Sequence, residues 1–212
     1  MLTGDVVQMR RFATGLDTPN PSFNELQRGD SAPRSTFGDG LINSGDVTQT
    51  RRYATGLDPL TPAAGPTAFG ELQSYIGGSV FGETARGTSI LRLAEIKSDR
   101  ATAFGVELES GTEAVATSFT LRYDASKLRK PTVTLVDGLG YDAVLTVNDS
   151  VEGELVILVD ASGALSVGGT PVRIVNITFE SGDGSIEFFG APSVSDAYGN
   201  AIKAFALSLP FR

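Results

Sequence analysis

The chain reads as mainly β: a jelly-roll-type β-sandwich of about nine short strands, preceded by a small two-helix segment. Three observations predict this. From about residue 88 onward, apolar residues alternate with period two in one short run after another. Turn signals rich in Gly, Asp and Asn separate those runs at regular spacing. Ahead of them, a fifteen-residue stretch with a helical period occurs twice, 41 residues apart.

The repeat comes first in chain order. Residues 3–17 align with residues 44–58, and eleven of the fifteen pairs are identical. Thr3 and Ser44 are expected N-caps, with Asp5 and Asp46 in the first turn, where the helix dipole favours an acid. Val6, Met9, Ala13 and Leu16 form an apolar stripe at helical spacing. Gly15 and Gly56 stand as C′ residues, with Pro19 and Pro59 beyond them. Each helix has only about three turns and is not stable alone, so it must pack on its twin, an ion or a partner. A looser echo follows, in which Phe23 to Gln27 resembles Phe69 to Gln73.

The expected strands begin at Ile90 to Leu93, Ala103 to Glu109 and Ser118 to Asp124, and continue at Val133 to Val136 and Ala143 to Val147. They go on through Leu155 to Val159, Val172 to Phe179 and Ser185 to Phe189, and end with Ala201 to Leu209. Asp137-Gly138, Glu152-Gly153, Gly168-Gly169, Gly182-Asp183-Gly184 and Gly199-Asn200 supply the turns. A composition shift divides the chain into 1–78, a duplicated loop-helix segment with a Pro/Gly-rich linker, and 79–212, the sandwich. Six of the ten prolines lie before residue 78, and all four lysines lie after it.

Absent residue types narrow the chemistry. The chain has no His and no Cys, so the commonest general base, the thiol nucleophile and the usual zinc ligands are missing. A formal charge of −8 disfavours nucleic acid. No apolar run approaches the length of a membrane span. Acidic pairs such as Asp142 with Asp149, or Glu152 with Glu154, leave glycosidase-type chemistry formally open, but acids at turns are usually solvated. The lack of Trp disfavours a carbohydrate-binding module. Asn148-Asp149-Ser150 and Asn176-Ile177-Thr178 are formal glycosylation sequons. Met1 to Asp5 reads as part of a folded motif rather than a leader, so the chain is expected to be a mature or trimmed product.

The segment from Asp39 to Asp46 matches the second half of an EF-hand-type loop. Asp39 and Asn43 would be side-chain ligands, Leu41 a carbonyl ligand and Asp46 the closing acid, with Gly40 at the sharp turn and Ile42 pinning the loop. This duplicated loop-helix pattern resembles dockerin modules over about residues 1–62. Two departures mark it. Counting back puts Ser35 and Phe37 at the opening positions, so an insertion is expected, with Asp30 reaching back as first ligand. In the first repeat only Asp5 survives. Calcium is the cofactor the resemblance implies, in the second repeat above all. The bland readings are a plain turn at Asp39-Gly40 and a helix-capping acid at Asp5.

The resemblance also implies a partner face at Thr3, Arg10 and Arg11 and, in the second copy, at Ser44, Arg51 and Arg52. Arg pairs on short helices are otherwise solvated surface. In the second half, the pattern Phe119 to Leu128, the strand Ile174 to Phe179 and the turn Asp196 to Ile202 resemble cohesin domains, which are protein-binding modules. One chain carrying both resemblances is expected to be a non-enzymatic, extracellular assembly protein. Its copies would join head to tail, helical half on the neighbour's sandwich, or by pairing residues 59–82 with a neighbour's sheet edge. The alternatives are a docking module of a larger secreted, cellulosome-like protein with a separate cohesin or dockerin partner, and a carbohydrate-binding module.

Overall fold

The computed structural model describes residues 3–69, 87–96, 102–140 and 142–208. The boundary expected near residue 78 and much of the 59–82 segment lie outside these residues. So do the second copy of the Phe23–Gln27 echo, beyond Phe69, and Leu209, the last residue of the final expected strand.

Nine strands form, each close to where the sequence predicts it: β1 Thr88–Ile96, β2 Thr102–Ser110, β3 Ala116–Tyr123, β4 Arg129–Leu135, β5 Val144–Asn148, β6 Glu154–Asp160, β7 Val172–Ser181, β8 Ile186–Ser195 and β9 Ala201–Leu207. Their order is β4-β7-β2-β1-β9-β8-β3-β6-β5. Strand β9 joins the two faces. Its Lys203 to Leu207 run parallel to β1, while Ala201 and Ile202 pair antiparallel with β8. The other neighbours are antiparallel.

Period two explains the core. On β6, Leu155, Ile157 and Val159 point inward with Leu91, Val106, Leu108, Leu121, Ile174 and Ile177. Phe179 lies at the centre, edge-on to Phe104 and Tyr123 at ring separations of 6.1 and 5.1 Å. Among the described residues, none before Leu91 belongs to this core.

Strand β8 departs from expectation. Instead of ending at Phe189 it continues to Ser195 through a bulge, where Ser118 faces Ser193 but Thr120 faces Phe189. Gly190, at φ 75°, supplies the left-handed step. Gly190-Ala191-Pro192 thus marks an irregularity within a strand rather than its end.

Both expected helices form: α1 Thr3–Thr14 and α3 Ser44–Ala54, with a short α2 Glu25–Gly29 between them. Gly15 and Gly56 both adopt φ 73° just past the helix ends, as C′ residues should. The second helix starts differently from expectation, because Asn43 rather than Ser44 is its cap. The Asn43 side chain accepts from Gly45 N–H at 2.8 Å, and Asp46 accepts from Asn43 N–H at 2.9 Å. Ser44 is thereby released to face the sheet.

The two helices pack on each other and on the outer face of β8-β3-β6-β5. Phe179→Ala should lower the sandwich's unfolding free energy by about 3–5 kcal/mol, measured by urea titration, because it opens a cavity at the core's centre.

Candidate functional site

The site is the seam between the helical pair and the β8-β3-β6-β5 face. Cross-strand register places Ala116, Asp160, Val144 and Ser195 in one row, and Ser118, Leu158, Thr146 and Ser193 in the next. These rows point away from the sandwich core. Leu158 meets Met9 and Val47 in a small second apolar cluster bordered by Phe12, Ala13 and Ile42.

Small side chains under α3 let its backbone come close. Ser44 Oγ lies 2.9 Å from Ser193 Oγ, and Thr48 Oγ1 lies 3.0 Å from Ser195 Oγ. A Cβ added at Gly45 would meet the Gly199 carbonyl at 3.0 Å. Arg52 donates to the Ala197 carbonyl at 2.8 Å and lies over the Tyr198 ring. On the α1 side, the Asn148 amide donates to the Thr14 carbonyl at 2.8 Å. That bond makes the first sequon a packing residue. Asn176, of the second, lies within β7.

At the centre stands Asp160, 1% exposed. Arg10 donates to both of its carboxylate oxygens, at 2.8 and 2.9 Å, and Arg51 donates to one of them. Arg10 and Arg51 are equivalent positions of the two repeats, so one sandwich acid takes the same residue from each copy. Asp142 sits near enough to feel Arg51. Its pKa is held below the usual carboxylate range by Ser162 and, to a smaller degree, by that arginine's charge.

The remaining repeat-matched residues clamp each helix's own end. Arg11 and Gln8 hold Asp17, and Arg52 and Gln49 hold Asp58. Each Arg–Asp pair is bidentate, and both acids are drawn down to about 2, chiefly by the arginine.

Of the six residues expected to form a partner face, the structure brings Arg10, Ser44, Arg51 and Arg52 onto the chain's own sandwich. Arg11 holds Asp17, and Thr3 is exposed at the start of α1. Sequence reasoning missed the sandwich side, namely Asp160, Leu158, Asn148, Ser193 and Ser195. One signal was available. Leu155 to Val159 is apolar at every position, whereas a strand with one wet face alternates, so Leu158 needed a cover.

The loop before α3 gathers the other expected residues. Asp30, buried, accepts from Asp39 N–H at 2.9 Å and Gly40 N–H at 2.7 Å, so it does reach back across the insertion. Gly38 is required beside it, because a Cβ there would overlap the Asp30 carboxylate. Asp39 accepts from Leu41 N–H at 3.0 Å. Buried Asp46 accepts from Ser31, Ala32 and Asn43 N–H groups.

Burial pushes all three acids up, Asp30 to about 7, and repulsion from neighbouring carboxylates adds to it at Asp30 and Asp46. Only backbone N–H donation opposes these shifts. The donor set suits a hard cation in kind: three carboxylates, an amide and the Leu41 carbonyl. In arrangement, the described residues hold no three acids already converged as a metal cage, and Asp46 has committed both oxygens to N–H groups. Asp5 is exposed in the first turn of α1.

Asp160→Ala should cost about 3–5 kcal/mol, because it leaves two arginines facing each other in a dry seam. Amide hydrogen exchange should show α1 and α3 losing protection while the inner strands keep theirs. Uniform loss across both halves would mean instead that the sandwich depends on the seam.

No family model matches the chain, and no curated protein matches it. Solved structures do match. The sixth cohesin of scaffoldin B from Acetivibrio cellulolyticus, in complex with a dockerin, aligns at 18% identity and TM-score 0.46, covering 57% of this chain and 94% of its own. A type I cohesin–dockerin complex from Clostridium thermocellum gives 16% and 0.44, over 59% and 93%. A non-cellulosomal cohesin from the archaeon Archaeoglobus fulgidus gives 16% and 0.41, over 57% and 86%. The described sandwich is similar in fold to cohesin modules.

Proposed function

We propose that this chain is a non-enzymatic, extracellular assembly protein. A dockerin-like, calcium-ordered helical half docks on a cohesin-like sandwich, and copies join head to tail into a fibre or surface array through that contact. The observation that carries the reading is Asp160 between Arg10 and Arg51. One chain holds both sides of a heterologous docking contact, and a heterologous contact that does not close on itself propagates. Residues 59–82, offered to a neighbour's sheet edge, remain a second route to the same kind of assembly.

Calcium would be held by Asp30, Asp39, Asn43, Asp46 and the Leu41 carbonyl, with Asp5 marking a reduced copy of the site. Its charge would relieve buried Asp30 and Asp46 and half-buried Asp39, which now face only N–H groups, and would fix the entry to α3. A site of this modest charge suits the millimolar calcium found outside cells. A separate cohesin-type partner is the second reading. Thr3 and Val7 on α1, with Arg11 half-buried beside them, match the docked positions Ser44, Thr48 and Arg52 on α3, yet lie away from the sandwich contacts.

Electron microscopy with millimolar calcium and again after chelation tests the assembly. Fibres that form with calcium and fray without it support docking through an ion-ordered helical half. Fibres indifferent to chelator move the contact to strand exchange, and single particles in both conditions favour the separate partner.

The calcium ligands have their own test. Without a cation, Asp30 keeps its proton to about pH 7 in the folded chain and releases it near pH ~4 once unfolded. The unfolded state therefore binds fewer protons, and stability should fall as pH rises from about 4 to about 7. Thermal melts in chelator should show that fall, and calcium should raise the melting temperature more at pH 8 than at pH 5. An equal calcium shift at both values would remove Asp30 from the ligand set.

A further inference from the structure

The face that the assembly reading needs for a neighbour is already filled by the chain's own helices. We infer that this cis contact is an autoinhibitory closure, and that assembly proceeds by exchange: the α1–α3 pair of one copy replaces that of the next on β8-β3-β6-β5. This rests on the head-to-tail reading and states its regulation.

Three features make the helical pair an exchangeable occupant. First, among the described residues every buried side chain of the sandwich core lies at or after Leu91, so the helical pair contributes none of them. Among the described residues, the buried apolar contact between the two halves is the Met9, Val47 and Leu158 cluster. Secondly, the rest of the seam is polar: hydroxyl pairs at Ser44–Ser193 and Thr48–Ser195, the Arg52 to Ala197 bond, and Asp160 with its two arginines. Contacts of this kind resemble transient interdomain surfaces more than a shared core. Thirdly, the face takes one occupant at a time. Gly45 lies against the Gly199 carbonyl, and Asp160 is already shared by two guanidinium groups, so a second helical pair enters only as the first leaves.

The tether sets the balance. Residues 59–65 are tied to the helical half, through Arg34 to the Pro59 carbonyl, Tyr53 to Thr61 and Gln27 to the Gly65 carbonyl. The covalent path from Phe69 to Gly87 is 18 residues, at most about 60 Å long. Being on the same chain keeps the helical half near its own face at any dilution, whereas a neighbour's face competes only at its bulk concentration. Closure therefore dominates in dilute solution, and exchange takes over where copies are crowded.

The chain has no cysteine, which makes the test direct. Ser44→Cys and Ser193→Cys place two thiols where hydroxyl oxygens now stand 2.9 Å apart, within reach of a disulfide. Two full-length single variants, one of each kind, are mixed with calcium and oxidised across a range of concentrations. The cross-linked dimer, which requires one copy's helix on the other's sheet, should rise about tenfold or more from micromolar to millimolar chain.

The double variant, oxidised while dilute, should lock as a monomer, stay out of fibres and regain assembly on reduction. A locked chain that assembles as fast as its reduced form overturns the closure while leaving assembly intact. Fibres from the mixed single variants without the 44–193 link overturn exchange in the same way. If neither the parent nor the reduced chain assembles at any concentration, the head-to-tail reading itself falls and the closure with it.

Discussion

Asp160 is a carboxylate that the fold has taken almost wholly out of water, and such a group is tolerable only with its charge met. It is met by Arg10 and Arg51, which arrive on different helices from residues 41 apart in sequence. That requirement orders much of what surrounds it. The helices must lie side by side for both guanidinium groups to arrive, and the strand face beneath must be made of small residues so that α3 can come close. Removing either arginine would leave the other to satisfy the acid in a seam shaped for two.

The duplication matters because it supplies two nearly identical units that are then used differently. Arg10 and Arg51 keep the same role, and the clamps on Asp17 and Asp58 are copies of each other. The faces diverge. Ser44, Gly45 and Thr48 are buried under the sandwich contact, while Thr3, Gly4 and Val7 are exposed. A pair of related helices on a single, unsymmetric sheet face cannot both present the same side to it. The second copy docks along its whole length, from Ser44 to Arg52, whereas the first reaches the sandwich through Met9, Arg10 and Thr14.

The acid-rich loop before α3 is coupled to this seam through Asp46 and Asn43. Asn43 caps the helix and also accepts from Ser193 at 3.3 Å on the sandwich. Asp46 ties the start of the helix to Ser31 and Ala32. Whatever neutralises Asp30, Asp39 and Asp46 therefore also steadies the end of α3 that meets β8. Two buried acids and a half-buried third, opposed only by backbone N–H groups, are a costly arrangement for a bare loop, and the cost falls on the segment that positions the docking face.

Much of this was legible in the residues alone. Nine strands, two helices and the C′ glycines all follow from short-range rules: the alternation of a pleat, the 3.6-residue turn and the conformational freedom of glycine. Each is written within about a dozen consecutive residues. The cap at Asn43 and the bulge at Gly190 were misjudged by one local choice each, because neighbouring residues could serve either purpose. The seam was of another kind. Arg10 and Asp160 stand 150 residues apart, and nothing near either names the other. Sequence determined that these arginines lie on a duplicated helix and that Leu155 to Val159 is apolar on both sides. Only the tertiary structure decided that the second side is covered by the chain's own helices, because that depends on where two separately specified faces meet in space.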